Sequence, residues 1–334
     1  MNKNSEKILE DFDKKKHLYQ GLAERSSLLI RSLVNEEIRL HQIQYRIKDR
    51  KSLSNKLIRK DFKYTKLDEI TDILGFRLVT YFEDDIDKIE KIFKSEFIID
   101  EENSVDKRNV EIDKFGYRSV HYVVSIRKDR LQLTEYKDYK NLKFEIQIRS
   151  ILQHSWAEIE HDIGYKGESE IPNNARRTFY RVAALLEQAD IEFTKLRSEI
   201  KQYEDKIEKD ISEDNFNILI DKSSIIAFIK NSKILREVEL KCNKELNIVT
   251  SDDIDTKLVG DQQLIKDLHN LGIVTVNDLE KSLNEKSKEI IQSQKKFIEQ
   301  VLARKFNTEP ITYIKGAPIL WLRDYLKMNK RSKK

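Results

Sequence analysis

Residues 143–150, KFEIQIRS, alternate without a break: Phe144, Ile146 and Ile148 are apolar, while Glu145, Gln147 and Arg149 are polar. Successive side chains of an extended chain point to opposite faces, so this stretch predicts a strand with one oily and one polar face. A helix-spaced segment, ILQHSWAEIEHD, follows at once. Upstream, GFRLVTYF (75–82) reads as a strand, EDDIDKIEKIFKSEF (83–97) as an amphipathic helix, and RSVHYVVSI (118–126) as a second strand. Strands interleaved with helices predict an α+β fold, a mixed sheet flanked by helices.

The rest of the chain is read against that sheet. Its 334 residues suffice for two domains, and 37% charged residues with only 8 Gly and 3 Pro suit a helix-rich protein. Residues 5–45 carry apolar side chains at helical spacing, among them Leu22, Leu28, Leu29, Leu33, Ile38 and Ile43. A long helix is predicted over 176–200, and the charged stretch KQYEDKIEKDISEDNF (201–216) is the predicted helical linker. These boundaries divide the chain into 1–200, 201–216 and a mainly helical 217–334. Within the last part, LHNLGIVTVNDLEKSL (268–283) predicts a helix–Gly–helix turn, a device of nucleic-acid binders and, more often, of plain helical bundles. The tail KMNKRSKK reads as a solvated basic end. No apolar run approaches the roughly 18 residues of a membrane span, and the N-terminus lacks the apolar stretch of a secretory signal. A single cysteine, Cys242, excludes a disulfide framework and a multi-thiolate zinc site. A cytoplasmic protein with no membrane partner is expected. The net charge of +4 is small beside 63 basic and 59 acidic residues, so clustering says more than the total.

Several clusters could carry chemistry. Asp72, in TDILGFR, lies just ahead of one strand and Glu145 lies on another. Two carboxylates on neighbouring strands can converge on one Mg²⁺, although with 59 acids any chosen pair is more often structural. Residues 46–60, RIKDRKSLSNKLIRK, hold seven Lys or Arg and one acid, Asp49. On a helix Lys48, Ser52 and Lys56 are successive i, i+4 steps along one face, and two ammonium groups flanking a hydroxyl suit a chain of phosphates. With only Asp49 in the run, that face needs an anion from elsewhere. In FGYRSVHYVV, Tyr117, Ser119 and His121 share one strand face, and Gly116 lets a ligand approach. Tyr117 suits packing or stacking on a base; His121 alone reads as a hydrogen-bonded sheet histidine. His154 and His161 are seven apart, not the i, i+4 of a helical zinc pair, and the dipeptide His161-Asp162 does not make a metal phosphohydrolase.

In this order, RIKDRKSLSNK, DILGFRLV, GYRSVH, EIQIRS and WAEIEHDIGYK resemble the synthetase domain of the RelA/SpoT family, the alarmone synthetases, over roughly residues 40–200. The resemblance implies a nucleotidyltransferase-like mixed sheet, and an enzyme that transfers the β,γ-pyrophosphate of ATP to the 3′-hydroxyl of GDP or GTP with Mg²⁺ as cofactor. Carried over by position, Asp72 resembles the principal metal ligand, and Glu145 the second acid, a metal partner or the base acting on the 3′-hydroxyl. Arg46 and Arg77 match the pair enclosing the adenine; Lys48, Ser52 and Lys56 match the ATP phosphate cradle. Tyr117 matches the aromatic against the acceptor base. His121, Gln147, Arg149, Glu160 and His161 match further pocket positions.

Two departures bear on the acceptor. His154 stands where guanine-specific members usually have an asparagine, and Asp113 where they usually have a lysine, with Lys114 one step later. A toxic branch of the family that pyrophosphorylates the 3′ CCA end of tRNA is also similar. Lys14, Lys15, Lys16, Arg176 and Arg177 are candidate contacts to an RNA backbone, with the C-terminal region as neutraliser. Adenine nucleotides are a further acceptor class, and a homo-oligomer is compatible with the sequence. A catalytically silent nucleotide sensor is the third reading, weakened because both acids and all the ATP-site cations are present. No hydrolase domain is expected ahead of residue 40, and residues 217–334 form an unfamiliar appendage expected to pack on the synthetase and restrain it.

Overall fold

The computed structural model describes residues 3–34, 38–106, 119–163, 173–302 and 311–331. They form two compact units, Met1–Leu196 and Arg197–Lys334, each with its own core.

The first unit is a mixed sheet flanked by helices, as the alternating pattern predicts. Its strands are β1 (Leu40–Ile47), β2 (Leu74–Thr80), β3 (Phe97–Ile99), β4 (Val105–Asp106), β5 (Val120–Ile126) and β6 (Phe144–Ser150). Their order is β1-β2-β6-β5-β3, with β4 on β5; β2 and β6 run parallel and the other pairs antiparallel. KFEIQIRS is therefore a central strand. Its apolar face carries Phe144, Ile146 and Ile148, all fully buried. Phe144 sits edge-on to Phe76 and Phe97, at ring-centroid distances of 5.6 and 5.8 Å.

Helix α1 (Lys3–Leu33) buries Ile8, Phe12, Tyr19, Leu22 and Ile30, one stripe at helical spacing. Gly21 on α1 is fixed by a close approach: a Cβ there would lie 2.5 Å from the Tyr139 hydroxyl, which accepts a 3.1 Å hydrogen bond from Arg25 Nε. The helical pattern read over residues 5–45 stops at Leu33, and Leu40–Ile47 is β1. Ile38 and Ile43, five residues apart, lie about 140° apart around a helix and do not continue its stripe; the backbone of β1 is satisfied by antiparallel pairing with β2.

Helix α2 (Arg50–Arg59) follows β1 and is capped by Asp49, which accepts from Ser52 N and Ser52 Oγ, each at 2.8 Å. Lys48 precedes that cap, so the three-residue helical face expected from Lys48, Ser52 and Lys56 is only a Ser52–Lys56 step. Helix α3 (Asp84–Glu96) carries Ile86, Ile89 and Phe93 into the core. Helix α4 (Ile151–Asp162) begins where β6 ends because Ser150 and Gln153 form a capping box. The Ser150 hydroxyl also donates to Asp190 of α5 (Asn173–Ser212) at 2.6 Å.

The chain enters the second unit within α5. Residues 201–212, within the expected helical linker 201–216, continue α5, with Ile207 and Ile211 buried in the second core. The unit continues as α6 (Lys222–Asn231), α7 (Lys233–Leu246), β7 (Ile248–Thr250), α8 (Gln262–Asn270), α9 (Val276–Leu302), β8 (Ile311–Tyr313) and α10 (Ala317–Arg331), with β7 and β8 a short parallel pair. The helix–Gly–helix turn joins α8 to α9 through Gly272 at φ +87°. Leu268, Ile273, Val276, Leu279 and Leu283 around it are buried in the helical core. No described helix is long and apolar enough to cross a membrane.

Candidate active site

The polar face of the sheet assembles most of the residues singled out by sequence. Register places Gly75 beside Glu145, Arg77 beside Gln147, Val79 beside Arg149, and His121 on the far side of Gln147. Arg46 pairs with Gly75 across β1 and β2, so Arg46 and Arg77 share this face. Gly75 leaves room at its centre, for a Cβ there would meet nothing within 4 Å.

Asp72 lies ahead of β2, between two ammonium groups. Lys48 Nζ is 3.1 Å from its Oδ2 and Lys56 Nζ 2.7 Å from its Oδ1. Lys48 is anchored there by its backbone N–H, which donates to Ile73 O at 2.8 Å. Burial pushes the Asp72 carboxyl up, but Lys56 and Lys48 outweigh it and hold the group below the usual carboxylate range. The anion that the basic run required from elsewhere is therefore Asp72, while Asp49 serves as the cap of α2. Ser52 is engaged by Asp49, and Arg46 stands largely exposed 3.9 Å from the same carboxylate.

A second set runs along β5 and β6. Glu145 Oε1 is 2.7 Å from His121 Nδ1, and His121 Nε2 is 2.7 Å from Ser119 Oγ. An ionised carboxylate only accepts, so Nδ1 carries the proton shared with Glu145, and Nε2 faces the Ser119 hydroxyl. Gln147 Nε2 donates to Glu145 Oε2 at 3.2 Å, and Arg149 donates to Gln147 Oε1 at 3.2 Å. Burial pushes the Glu145 carboxyl up; the His121 and Gln147 bonds overcome it and keep the group low, against the nearby charge of Asp72.

The third set joins β2, β6 and α4. Arg77 NH1 pairs with Glu158 Oε1 at 2.6 Å, and His154 Nδ1 lies 3.9 Å from the same oxygen. Burial and the adjacent Arg77 lower both the Arg149 guanidinium and the His154 imidazole, leaving His154 neutral near pH 7. Glu158 was not singled out from sequence; its position one helical turn after His154 was the available signal. His161 is exposed near the end of α4, and among the described residues no hydrogen bond or ion pair links it to this face. Tyr117, Gly116, Asp113, Lys114 and Arg118, with the side chain of Arg176, lie outside the described residues. Of the outlying cations, Lys15 is paired with Asp11 at 3.1 Å and Asp68 at 3.2 Å.

The donor set limits what metal could fit. Asp72 and Glu145 feel each other's charge, yet among the described residues no group of three His, Cys, Asp or Glu side chains could hold an ion. Two carboxylates do not complete a structural zinc site. They do fit Mg²⁺, which takes one or two carboxylates and fills the rest of its shell with phosphate and water.

Residues 45–170 match a family described as a region found in RelA / SpoT proteins. The chain is 29% identical over 161 residues to the GTP pyrophosphokinase YjbM of Bacillus subtilis (strain 168), covering 47% of this chain and 72% of that protein. It is 26% identical over 179 residues to the GTP pyrophosphokinase YwaC of the same organism, covering 51% of this chain and 79% of that one. Among solved structures it is similar to the small alarmone synthetase 1 from Bacillus subtilis, with TM-score 0.47, 24% identity, 57% of this chain and 99% of that one.

Proposed function

We propose, from the premise that residues 45–170 are a RelA/SpoT-type region, that the chain is a pyrophosphokinase moving the β,γ-pyrophosphate of ATP onto the 3′-hydroxyl of GDP or GTP. The observation that carries the reading is the grouping of Lys48 and Lys56 on Asp72 beside Glu145, on one polar sheet face. Two related enzymes named GTP pyrophosphokinases support the guanine acceptor.

Transfer of this kind depends on positioning and charge neutralisation rather than on a covalent intermediate. Lys48 and Lys56 bind the triphosphate, with Ser52 between them in the first turn of α2. Arg46 and Arg77 hold the adenine between their planes. Asp72 and Glu145 would hold Mg²⁺, which supplies positive charge to the transferring phosphates when bound. His121 fixes Glu145 through its Nδ1–H, and Gln147 fixes the other oxygen, so that carboxylate keeps one orientation. Tyr117 stacks on the acceptor base.

The test is label transfer from γ-phosphate-labelled ATP, with Mg²⁺, to GDP, GTP, ATP or deacylated tRNA offered in parallel, with Asp72→Ala as control. Label on GDP or GTP, abolished in the variant, is the expected result. Label on tRNA alone would replace the alarmone reading by that of an RNA-modifying toxin. Label on nothing would return the chain to a nucleotide sensor.

A further inference from the structure

Asp72 cannot serve two partners at once. Both of its oxygens face ammonium groups, Lys56 at 2.7 Å and Lys48 at 3.1 Å, and all three side chains are at least two-thirds buried. The two lysines are the same groups that a triphosphate would require. A divalent cation approaching Asp72 in this arrangement would meet two like charges held in place by the fold.

Across the wider face Lys48, Lys56, Arg77 and Arg149 balance four carboxylates, Asp72, Glu145, Glu158 and Glu160. At Asp72 itself two ammonium groups face one carboxylate, so a bare divalent ion adds charge where charge is already in excess. A triphosphate reverses the balance and offers oxygens to the two ammonium groups. With no three-ligand cluster among the described residues, the remaining metal ligands come from phosphate and water.

We propose that Lys48 and Lys56 gate the metal position: they occupy Asp72 until a triphosphate draws them away, so the divalent cation and the nucleotide enter together and the cation does not enter alone. The gate rests on the nucleotide reading above and adds to it an order of events. The exchange breaks two ion pairs and forms two ammonium–phosphate contacts, leaving Asp72 ionised and free to ligate. No bond to carbon or phosphorus changes.

Mn²⁺ titration of the full-length protein, followed by the electron paramagnetic resonance signal of free Mn²⁺, tests this without reference to turnover. Without nucleotide, the wild type should take up Mn²⁺ no better than Asp72→Asn. The double variant Lys48→Gln/Lys56→Gln should bind one Mn²⁺ at least about tenfold tighter than wild type, and adding Asp72→Asn should erase the gain. Lys48→Gln alone, which frees only Oδ2, should fall between and serves if the double variant is poorly folded. Equal Mn²⁺ affinity in the wild type and the lysine variants, or a gain that survives Asp72→Asn, would overturn the gate. A parallel titration with α,β-methylene ATP in EDTA separates the two ideas. Metal-free analogue should bind wild type and bind the double variant at least about tenfold more weakly. Failure of the analogue to bind wild type both in EDTA and with Mg²⁺ would remove the nucleotide reading, while the Mn²⁺ series would still decide whether the lysines guard Asp72.

Discussion

Ser150→Ala attacks the joint between the central strand and the helix that supports the site. The fully buried hydroxyl of Ser150 accepts from Gln153 N at 3.1 Å and donates to the Asp190 carboxylate at 2.6 Å. Losing the cap costs about 1 kcal/mol. Losing a hydrogen bond to a buried carboxylate costs about 1.5–3 kcal/mol. Together they predict a loss of about 3 kcal/mol, confined to the first unit. The chain's two tryptophans make that separable, since Trp156 lies on α4 packed on Phe179 and Trp321 lies on α10. In a Trp321→Phe background, urea unfolding followed by fluorescence reports the first unit alone. Ser150→Thr keeps the hydroxyl and should recover most of the loss. A change under about 1 kcal/mol for Ser150→Ala, or an equal loss for Ser150→Thr, would refute the argument that the hydroxyl anchors α4.

Three further outcomes follow from single contacts. Gly75→Val adds a side chain where a Cβ meets only open space beside Glu145; the melting temperature should barely move while transfer falls at least about tenfold, because the branch fills ligand volume. Gly21→Ala gains about 1 kcal/mol of helix propensity but collides with the Tyr139 hydroxyl, for a net loss of about 1 kcal/mol; in a Tyr139→Phe background the same change should stabilise, as measured by urea midpoints. Burial raises the Glu239 carboxyl, only partly opposed by the Gly316 N–H, Lys315 and Arg236. The folded second unit thus holds its proton more tightly, and stability should fall as pH rises from about 4.3 through the raised folded value. Glu239→Gln should flatten that slope in Trp321-detected unfolding, and a slope of opposite sign would contradict the burial argument.

The parts of this architecture that sequence could reveal are those set by local period. Strand 144–150 alternates strictly, 74–80 and 120–126 alternate except at Leu78–Val79 and Val123–Val124, and α4 follows its capping box without a spacer. The two acids and two lysines at the centre of the site were visible by type and position. Partnership was not. Lys48 and Lys56 meet Asp72 across 24 and 16 residues of chain, because β1 and β2 pair and bring α2 over the end of β2. Nothing local distinguishes that carboxylate from Asp49, which is nearer in sequence and is spent on a helix cap. The hydrogen bond from His121 to Glu145 requires the register of β5 on β6. Glu158 is one acid among 59, and only the fold puts it on Arg77. Strand β1 was missed because Leu22, Leu29 and Leu33 keep a helical period up to its threshold, while its own alternation, Ile43, Tyr45 and Ile47, is short.

A central strand flanked on both sides ordinarily buries both faces, and its residues are apolar throughout. β6 departs from this on one face, where Glu145, Gln147 and Arg149 are half-buried. A structural role for that face and a ligand-facing role make different forecasts for Glu145→Gln. If Glu145 exists to pair with His121, removing its charge breaks a largely buried ionic contact and costs about 3–5 kcal/mol. The geometry argues against so large a loss. His121 donates its Nδ1–H to Glu145, a hydrogen bond that a glutamine oxygen also accepts. Glutamine gives up the charge that His121 and Gln147 favour over burial, and its NH2 no longer accepts from Gln147 Nε2. The expected loss of stability is therefore about 1–2 kcal/mol, while pyrophosphate transfer falls at least about a hundredfold. Urea unfolding and label transfer on the same preparation decide it: a large loss of stability with activity retained would make Glu145 a sheet residue that happens to be charged.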